Sequence, residues 1–301
     1  MQIVHNNYLR SSGSGPTWKV EIDPPGRPVG TYFEETVKAA EMVWAQKQGN
    51  LYLCYSGGLD SEFALSVFRH LGMEVTPVIM CTQYNQTERQ YAFDYCDTHN
   101  IKPLVINLDL DEFIRSGQML EIAKSIECGA WQVAANMWLM GQLEGTVITG
   151  ECPPHLKKVN NKWYHDEDQI YHSTVTYFKK YSVYGTPFFM NYTAEMVYAF
   201  LIDPAIVELA NDKIYGKLGS HSTKYRVYNN NNGAFELVNR TKLHGYETVK
   251  ESPIFQHPDI HYLTGRQSEW WGLSDTEYHY MVDALASGKS VHGTNSSRVA
   301  I

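Results

Sequence analysis

From residue 51 to residue 149 the chain alternates short apolar runs with stretches of helical spacing, and this rhythm limits what it can fold into more than any other feature. LYLCYS is followed by SEFALSVFRHLG, VTPVIMCT by TERQYAFDYCDTH, and LVINLD by a helical region, broken near Gly129, that ends in TVITG. Strand-like runs that are apolar on consecutive residues and separated by helices are buried on both faces. They predict an α/β fold, a parallel sheet with flanking helices. Before TVITG, AKSIE and AWQVAANMWLMGQL read as two helices. Upstream, Thr31 and Glu34 have capping-box spacing, Val37, Ala40 and Trp44 share a face, and Gly49 stands where a helix stops. One amphipathic helix therefore leads into the first strand.

The flanks are less regular. Residues 1–30 contain SSGSGP and DPPGRPVG and predict an irregular N-terminal arm. Residues 152–192 are polar and aromatic, with a strand expected at 170–177. Thr193 caps a helix running to about Leu201, Pro204 opens another through Leu209, and NNNNG at 229–233 is a loop. The expected division is an arm at 1–30, an α/β domain at 31–215, and a mixed, less regular C-terminal substrate or interaction region at 216–301.

With 301 residues, 43% of them hydrophobic, the chain can bury one large core or two smaller ones. The formal net charge of -8 gives no general attraction to phosphate backbones, so nucleic acid is not the favoured partner unless a local basic patch reverses the balance. MQIVHNNYLRSSGSG has no apolar h-region, and no stretch of ~18 uninterrupted apolar residues follows, which predicts a soluble, cytoplasmic chain with no membrane partner. Cys54, Cys81, Cys96, Cys128 and Cys152 are widely spaced and form no CxxC pair; they read as reduced thiols rather than a disulfide framework or zinc site. In such a chain the Asn-x-Ser/Thr triplets at Asn85, Asn191, Asn239 and Asn295 are accidental.

The stretch at the end of the first strand carries the chemistry. Ser56, Gly57, Gly58, Leu59, Asp60 and Ser61 stand between a buried strand and a helix, at the end of a parallel sheet where ligands bind. Glycines allow positive φ and leave the backbone bare, so successive N–H groups can form an anion nest, and the next helix aims its positive end at the same place. Ser56 and Ser61 add hydroxyls. Asp60 cannot favour a bare anion; it reads as a helix cap or as a ligand to a phosphate-bound Mg²⁺.

SGGLDS resembles the pyrophosphate-binding SGGxDS loop of the N-type ATP pyrophosphatase, or PP-loop, superfamily, over about residues 32–152. This superfamily of HUP-type, Rossmann-like folds includes asparagine, NAD, GMP and argininosuccinate synthetases, queuosine-precursor enzymes, tRNA thiolases and lysidine synthases. The chain has neither GxxxxGK[ST] nor GxGxxG. The resemblance implies ATP and Mg²⁺ as cofactors. A substrate oxygen attacks the α-phosphorus, pyrophosphate leaves, and a second nucleophile captures the adenylate. It assigns Ser56, Gly57, Gly58, Leu59, Asp60 and Ser61 to pyrophosphate, with Asp60 also a metal ligand. Met80 and Cys81, in the segment ending at Thr82, correspond to the strand end that meets adenine. Gly150 and Glu151 in TGE match a Gly-acid pair beside ATP and metal, Glu151 being equally readable as a cap on the turn into Pro153 and Pro154. Lys157 and Lys158 are candidate catalytic cations over the phosphates, or a solvated surface pair. Arg89 is a weaker candidate.

Other constellations carry less. His257 and His261 have i,i+4 spacing, but Pro258 between them suits a helix start better than a metal site. Trp270 and Trp271 read as core, or as a cover over a substrate or a partner subunit. No cysteine follows Cys152, which disfavours the thiolase and sulfonucleotide-reductase branches, and no cysteine precedes Cys54 to serve as a glutaminase nucleophile. The expected function is an adenylating ligase that forms a C–N bond on a small carboxylate or carbonyl substrate, with homo-oligomerisation left open. Two alternatives stand beside it. One is a tRNA- or DNA-modifying enzyme with a basic face around Lys157, Lys158, Lys179, Lys180, Lys224 and Arg226; the other is a nucleotide-binding protein without turnover.

Overall fold

The computed structural model describes residues 9–12, 19–22, 24–126, 128, 131–150, 156–159, 162–165, 169–211, 219–239, 246–264, 271–274, 286–289, 291–294 and 298–300. Where the sequence predicts an irregular arm, two short strands, β1 (Leu9–Ser12) and β2 (Lys19–Ile22), pair antiparallel. Then come α1 (Tyr32–Gln46), β3 (Leu51–Cys54), α2 (Leu59–His70), β4 (Thr76–Cys81), α3 (Gln86–Thr98) and β5 (Leu104–Asn107). The helices α4 (Leu110–Arg115), α5 (Gln118–Ser125) and α6 (Trp131–Met140) lead to β6 (Thr146–Thr149). The chain continues through β7 (Leu156–Val159), β8 (Lys162–His165), α7 (Gln169–Lys180), β9 (Tyr184–Thr186), α8 (Ala194–Leu201), α9 (Pro204–Asn211) and α10 (Gly219–Asn229). It closes with α11 (Tyr246–Lys250), α12 (Pro258–Thr264), β10 (Trp271–Ser274), β11 (Val291–Thr294) and β12 (Arg298–Ala300).

The fold is α/β, built on a five-stranded, all-parallel, Rossmann-like sheet in the order β5-β4-β3-β6-β9. The chain runs outward from β3 to β4 and β5, then returns to place β6 on the other side of β3. The order therefore reverses between β3 and β6, and in open α/β sheets the crevice at such a reversal is where ligands bind. Two small antiparallel sheets, β1-β2-β11-β12 and β10-β8-β7, hold the other strands among the described residues.

Alternation along the strands divides the core between the two faces. Leu51, Leu53, Ile79, Cys81 and Ile148 pack with α1, α2, α3 and α8. Val147, with Cys54 and Met80 beside it, packs with α4, α5, α6 and α7. The capping box at Thr31 forms as read: its hydroxyl accepts from the Glu34 N–H, and the Glu34 carboxylate accepts from the Thr31 N–H. Thr193 likewise caps α8 through the Met196 N–H.

Two readings are corrected. Residues 169–180 form α7, not a strand: IYHSTVTY is rich in β-branched and aromatic residues, yet Ser173, Thr174, Tyr177 and Phe178 are buried at helical spacing. Packing of that stripe overrides the propensity. The region before β6 holds three helices rather than two, divided first at Ser116 and Gly117; Gly129 lies outside the described residues. Among the described residues no helix is long and apolar enough to cross a membrane.

Candidate functional site

β3 ends at Cys54, and the chain passes through Tyr55 and Ser56 into a turn at Gly57 and Gly58 before α2 begins at Leu59. Tyr55 fixes the exit: its N–H donates to the Val78 carbonyl at 2.8 Å, and its ring packs on Tyr95. Gly57 adopts φ +72°, and a Cβ there would stand 2.7 Å from the backbone nitrogen of Ala92 in α3. Both conformation and space require glycine at this position. Gly58 is the N-cap of α2 with φ −82° and ψ 161°, an extended conformation open to any residue, so of the two glycines only Gly57 uses positive φ.

The hydroxyls follow the turn. Ser56 Oγ accepts from the Gly58 N–H at 3.3 Å and lies 3.3 Å from Ser61 Oγ, while the Ser61 hydroxyl donates to the Gly58 carbonyl at 3.0 Å. Gly58 supplies no side-chain cap, and the positive end of α2 faces the crevice with the two serines beside it. Across the strand reversal, β6 brings Gly150 against the same turn: a Cβ on Gly150 would lie 2.5 Å from Ser61 Cα and 2.9 Å from its nitrogen. Gly150 thus sets how closely β6 approaches α2, and SGGLDS and Gly150, read separately in the sequence, meet at Ser61.

Asp60 is not the helix cap, because Gly58 holds that position. Its carboxylate turns toward α10: Lys224 Nζ donates to Oδ2 at 2.9 Å and to Oδ1 at 3.1 Å, and the Tyr228 hydroxyl donates to Oδ1 at 2.6 Å. The pair is largely shielded, with 14% of the Lys224 side chain and 26% of the Asp60 side chain exposed. Tyr228 is locked by stacking on Phe63 at 4.4 Å between centroids and on Tyr32 at 5.8 Å. Burial and the nearby Asp60 charge hold the Tyr32 hydroxyl pKa well above its ordinary value. A divalent ion bound directly to Asp60 would have to displace an ammonium from both oxygens; the arrangement as it stands fits a lysine better than a metal. No group of three or more His, Cys, Asp or Glu suited to a metal ion occurs among the described residues.

At the end of β4 several backbone groups are already engaged. The Met80 carbonyl accepts from the Asn85 amide at 2.8 Å, and the Cys81 carbonyl accepts from the Leu108 N–H at 2.8 Å. The Thr82 N–H donates to Asn85 Oδ1 at 2.9 Å, and the Thr82 carbonyl accepts from Arg89 at 3.4 Å. Arg89 is thereby given to the loop after β4. An adenine edge docking here would compete with the Asn85 clamp.

Glu151, Cys152 and Trp270 lie outside the described residues. Lys157 and Lys158 stand on β7, opposite Tyr164 and Trp163 of β8, and their side chains lie outside the described ones. His257 precedes Pro258, which opens α12 as read; its Nδ1 accepts from the Asp259 N–H at 3.3 Å. Sequence reading missed Lys224 and Tyr228 as partners of Asp60. Their i,i+4 spacing put them on one helical face, but no local signal linked that face to residue 60.

No protein-family model matches the chain, and no curated protein matches it.

Proposed function

We propose that the chain is an ATP-dependent adenylating enzyme of the PP-loop type. It releases pyrophosphate and activates a small carboxylate or carbonyl substrate for C–N bond formation. The observation that carries this reading is the glycine turn of SGGLDS, seated at the strand-order reversal and opening onto the N-terminus of α2. A turn that connected a strand to a helix and did nothing else would not need Gly57 at positive φ, two hydroxyls 3.3 Å apart and a shielded lysine brought from α10.

In this reading a nucleophilic oxygen of the substrate forms a bond to the α-phosphorus of ATP, and the bond from that phosphorus to the bridging oxygen breaks. The electron pair leaves with pyrophosphate. Backbone N–H groups at Gly57 and Gly58 and the hydroxyls of Ser56 and Ser61 hold the leaving oxygens, and the positive end of α2 faces the charge that develops there. Lys224 and Asp60 form a neutral pair that fixes the first turn of α2, so the counter-charge on the chain's side is the positive end of that helix. Mg²⁺ would supply further neutralisation when bound, with no ligand drawn from Asp60, which Lys224 holds.

The nucleic-acid alternative draws less support. Two members of its basic face are engaged in ion pairs, Lys224 with Asp60 and Arg226 with Glu208. The test is product analysis. Incubated with ATP, Mg²⁺ and metabolite pools, the protein should release AMP and pyrophosphate in equal amounts on anion-exchange chromatography. ADP and orthophosphate as primary products would refute the mechanism.

A further inference from the structure

The first turn of α3 carries a carboxylate that the fold does not satisfy. Glu88 is 5% exposed, and its Oε2 has no hydrogen-bond partner among the described residues. Burying a carboxylate oxygen without a donor is unfavourable, and native folds seldom retain such a group without a use for it. The obvious local donors are engaged elsewhere, with Arg89 on the Thr82 carbonyl and the Asn85 amide on Met80.

Its position indicates that use. Glu88, Ala92 and Cys96 form the buried stripe of α3, and Ala92 is the residue that lies against Gly57. Glu88 is about one helical turn from Ala92, about 6 Å nearer the N-terminus of α3. Because α3 returns from the carboxyl end of β4, that N-terminus sits at the ligand edge of the sheet, and helical side chains lean toward it. Glu88 therefore stands on the buried stripe of α3 at the ligand edge of the sheet, on the β4 side of the Gly57 turn.

A carboxylate there repels phosphate, so it serves a different part of the ligand. We infer that Glu88 is the acceptor for a ribose hydroxyl of the bound nucleotide and gives the site its preference for ribonucleotides over deoxynucleotides; this rests on the ATP reading above. Beyond the phosphates a nucleotide next presents its ribose, whose hydroxyls are the donors a bare carboxylate oxygen lacks. A charged acceptor forms the stronger class of hydrogen bond, and a site built around a hydroxyl rejects analogues without it. Because Oε2 is closed to solvent, the contact requires a covering side chain to move when nucleotide enters.

The experiment is calorimetric titration of wild type, Glu88→Gln and Glu88→Met with ATP, 2′-deoxyATP, 3′-deoxyATP and ITP, together with thermal melts of each ligand-free protein. Wild type should bind ATP roughly 10- to 100-fold tighter than at least one deoxy analogue. Glu88→Met should reduce that ratio to about twofold or less, and Glu88→Gln should retain part of it through its amide oxygen. Without ligand, Glu88→Met should melt no lower than wild type, because it removes a buried group with an unmet bond. Equal binding of ATP and both deoxy analogues by wild type overturns the inference and leaves the ATP reading standing. So does discrimination that survives in Glu88→Met, or that follows the base amino group in ITP instead of the sugar. A Glu88→Met protein that unfolds or melts lower assigns Glu88 a structural partner and also overturns it. Failure of wild type to bind any of these nucleotides refutes the ATP reading and this inference with it.

Discussion

The backbone nitrogen of Ala92 occupies the space where a side chain on Gly57 would begin, 2.7 Å from an ideal Cβ. Gly57→Ala therefore combines left-handed strain with a backbone clash, and should destabilise the protein by about 2 kcal/mol or more and abolish nucleotide binding. Gly58→Ala, at an extended position, should change stability by no more than about 1 kcal/mol. Urea unfolding of the two variants side by side checks the contrast; equal losses would mean that the positive φ is not what glycine supplies here.

The Asp60–Lys224 pair predicts coupling between distant parts of the chain. Asp60→Asn and Lys224→Met should each destabilise, and the double variant should lose less than the sum, with a coupling of about 1–2 kcal/mol in a double-mutant cycle. Strict additivity in unfolding would remove the pair.

Gly150→Ala should force the end of β6 off α2, since Ser61 backbone atoms stand at 2.5 and 2.9 Å from the new methyl. A loss of about 1–3 kcal/mol and weakened ATP binding are expected from overpacking at this contact. Denaturation midpoints and nucleotide titrations measure both; wild-type behaviour in both would show that the strand end yields freely.

Acid should weaken the fold through Glu35. Burial alone would raise this carboxyl, but hydrogen bonds from Arg27, the Gly30 N–H and Lys38 outweigh it and pull its pKa from 4.5 to about 2. The folded pKa lies below the unfolded one, so the stabilisation is fully present above about pH 4.5 and is lost as pH falls through 2. Its size is about 2 kcal/mol, less than the full shift implies, because Arg27 and Lys38 are 41% and 47% exposed and screened by water. Glu35→Gln should flatten the stability profile in this window, measured by urea unfolding at stepped pH; an unchanged acid limb would show that other carboxylates govern it.

The thiols should prove dispensable. Cys81 and Cys96 are free, buried thiols, and burial, helped by Asp97, pushes the Cys96 pKa up to about 11, which leaves little thiolate at neutral pH. Cys96 should be alkylated only on unfolding, and a variant with every cysteine changed to serine or alanine should retain ATP-dependent activity. Loss of that activity with the fold intact would turn attention to sulfur chemistry.

Local patterns carried most of what was legible in the sequence. The strands β3, β4, β5 and β6 were visible because each is a short apolar run between turn residues, and α1, α8 and α9 because Thr31, Thr193 and Pro204 mark their starts. β9 went unread because three residues leave no alternation to detect. α7 was misread because its side chains favour strands in isolation and only the packing of Tyr177 and Phe178 settles the matter. The same division runs through the site. Ser56 to Ser61 is a contiguous motif whose chemistry is local. Lys224, Tyr228 and Glu88 acquire meaning from neighbours far along the chain, which pattern reading does not reach.

Lys224 is 164 residues from Asp60, so the ends of this contact are made far apart in time during synthesis. Closing so long a loop costs chain entropy before the contact returns anything, and such contacts form late. The sheet from β3 to β6 can collapse on the emerging chain while its crevice is still open on the α10 side. Refolding should therefore regain helical and sheet signal before it regains ligand affinity, and a nascent chain that stops short of α10 would carry the motif without its lysine.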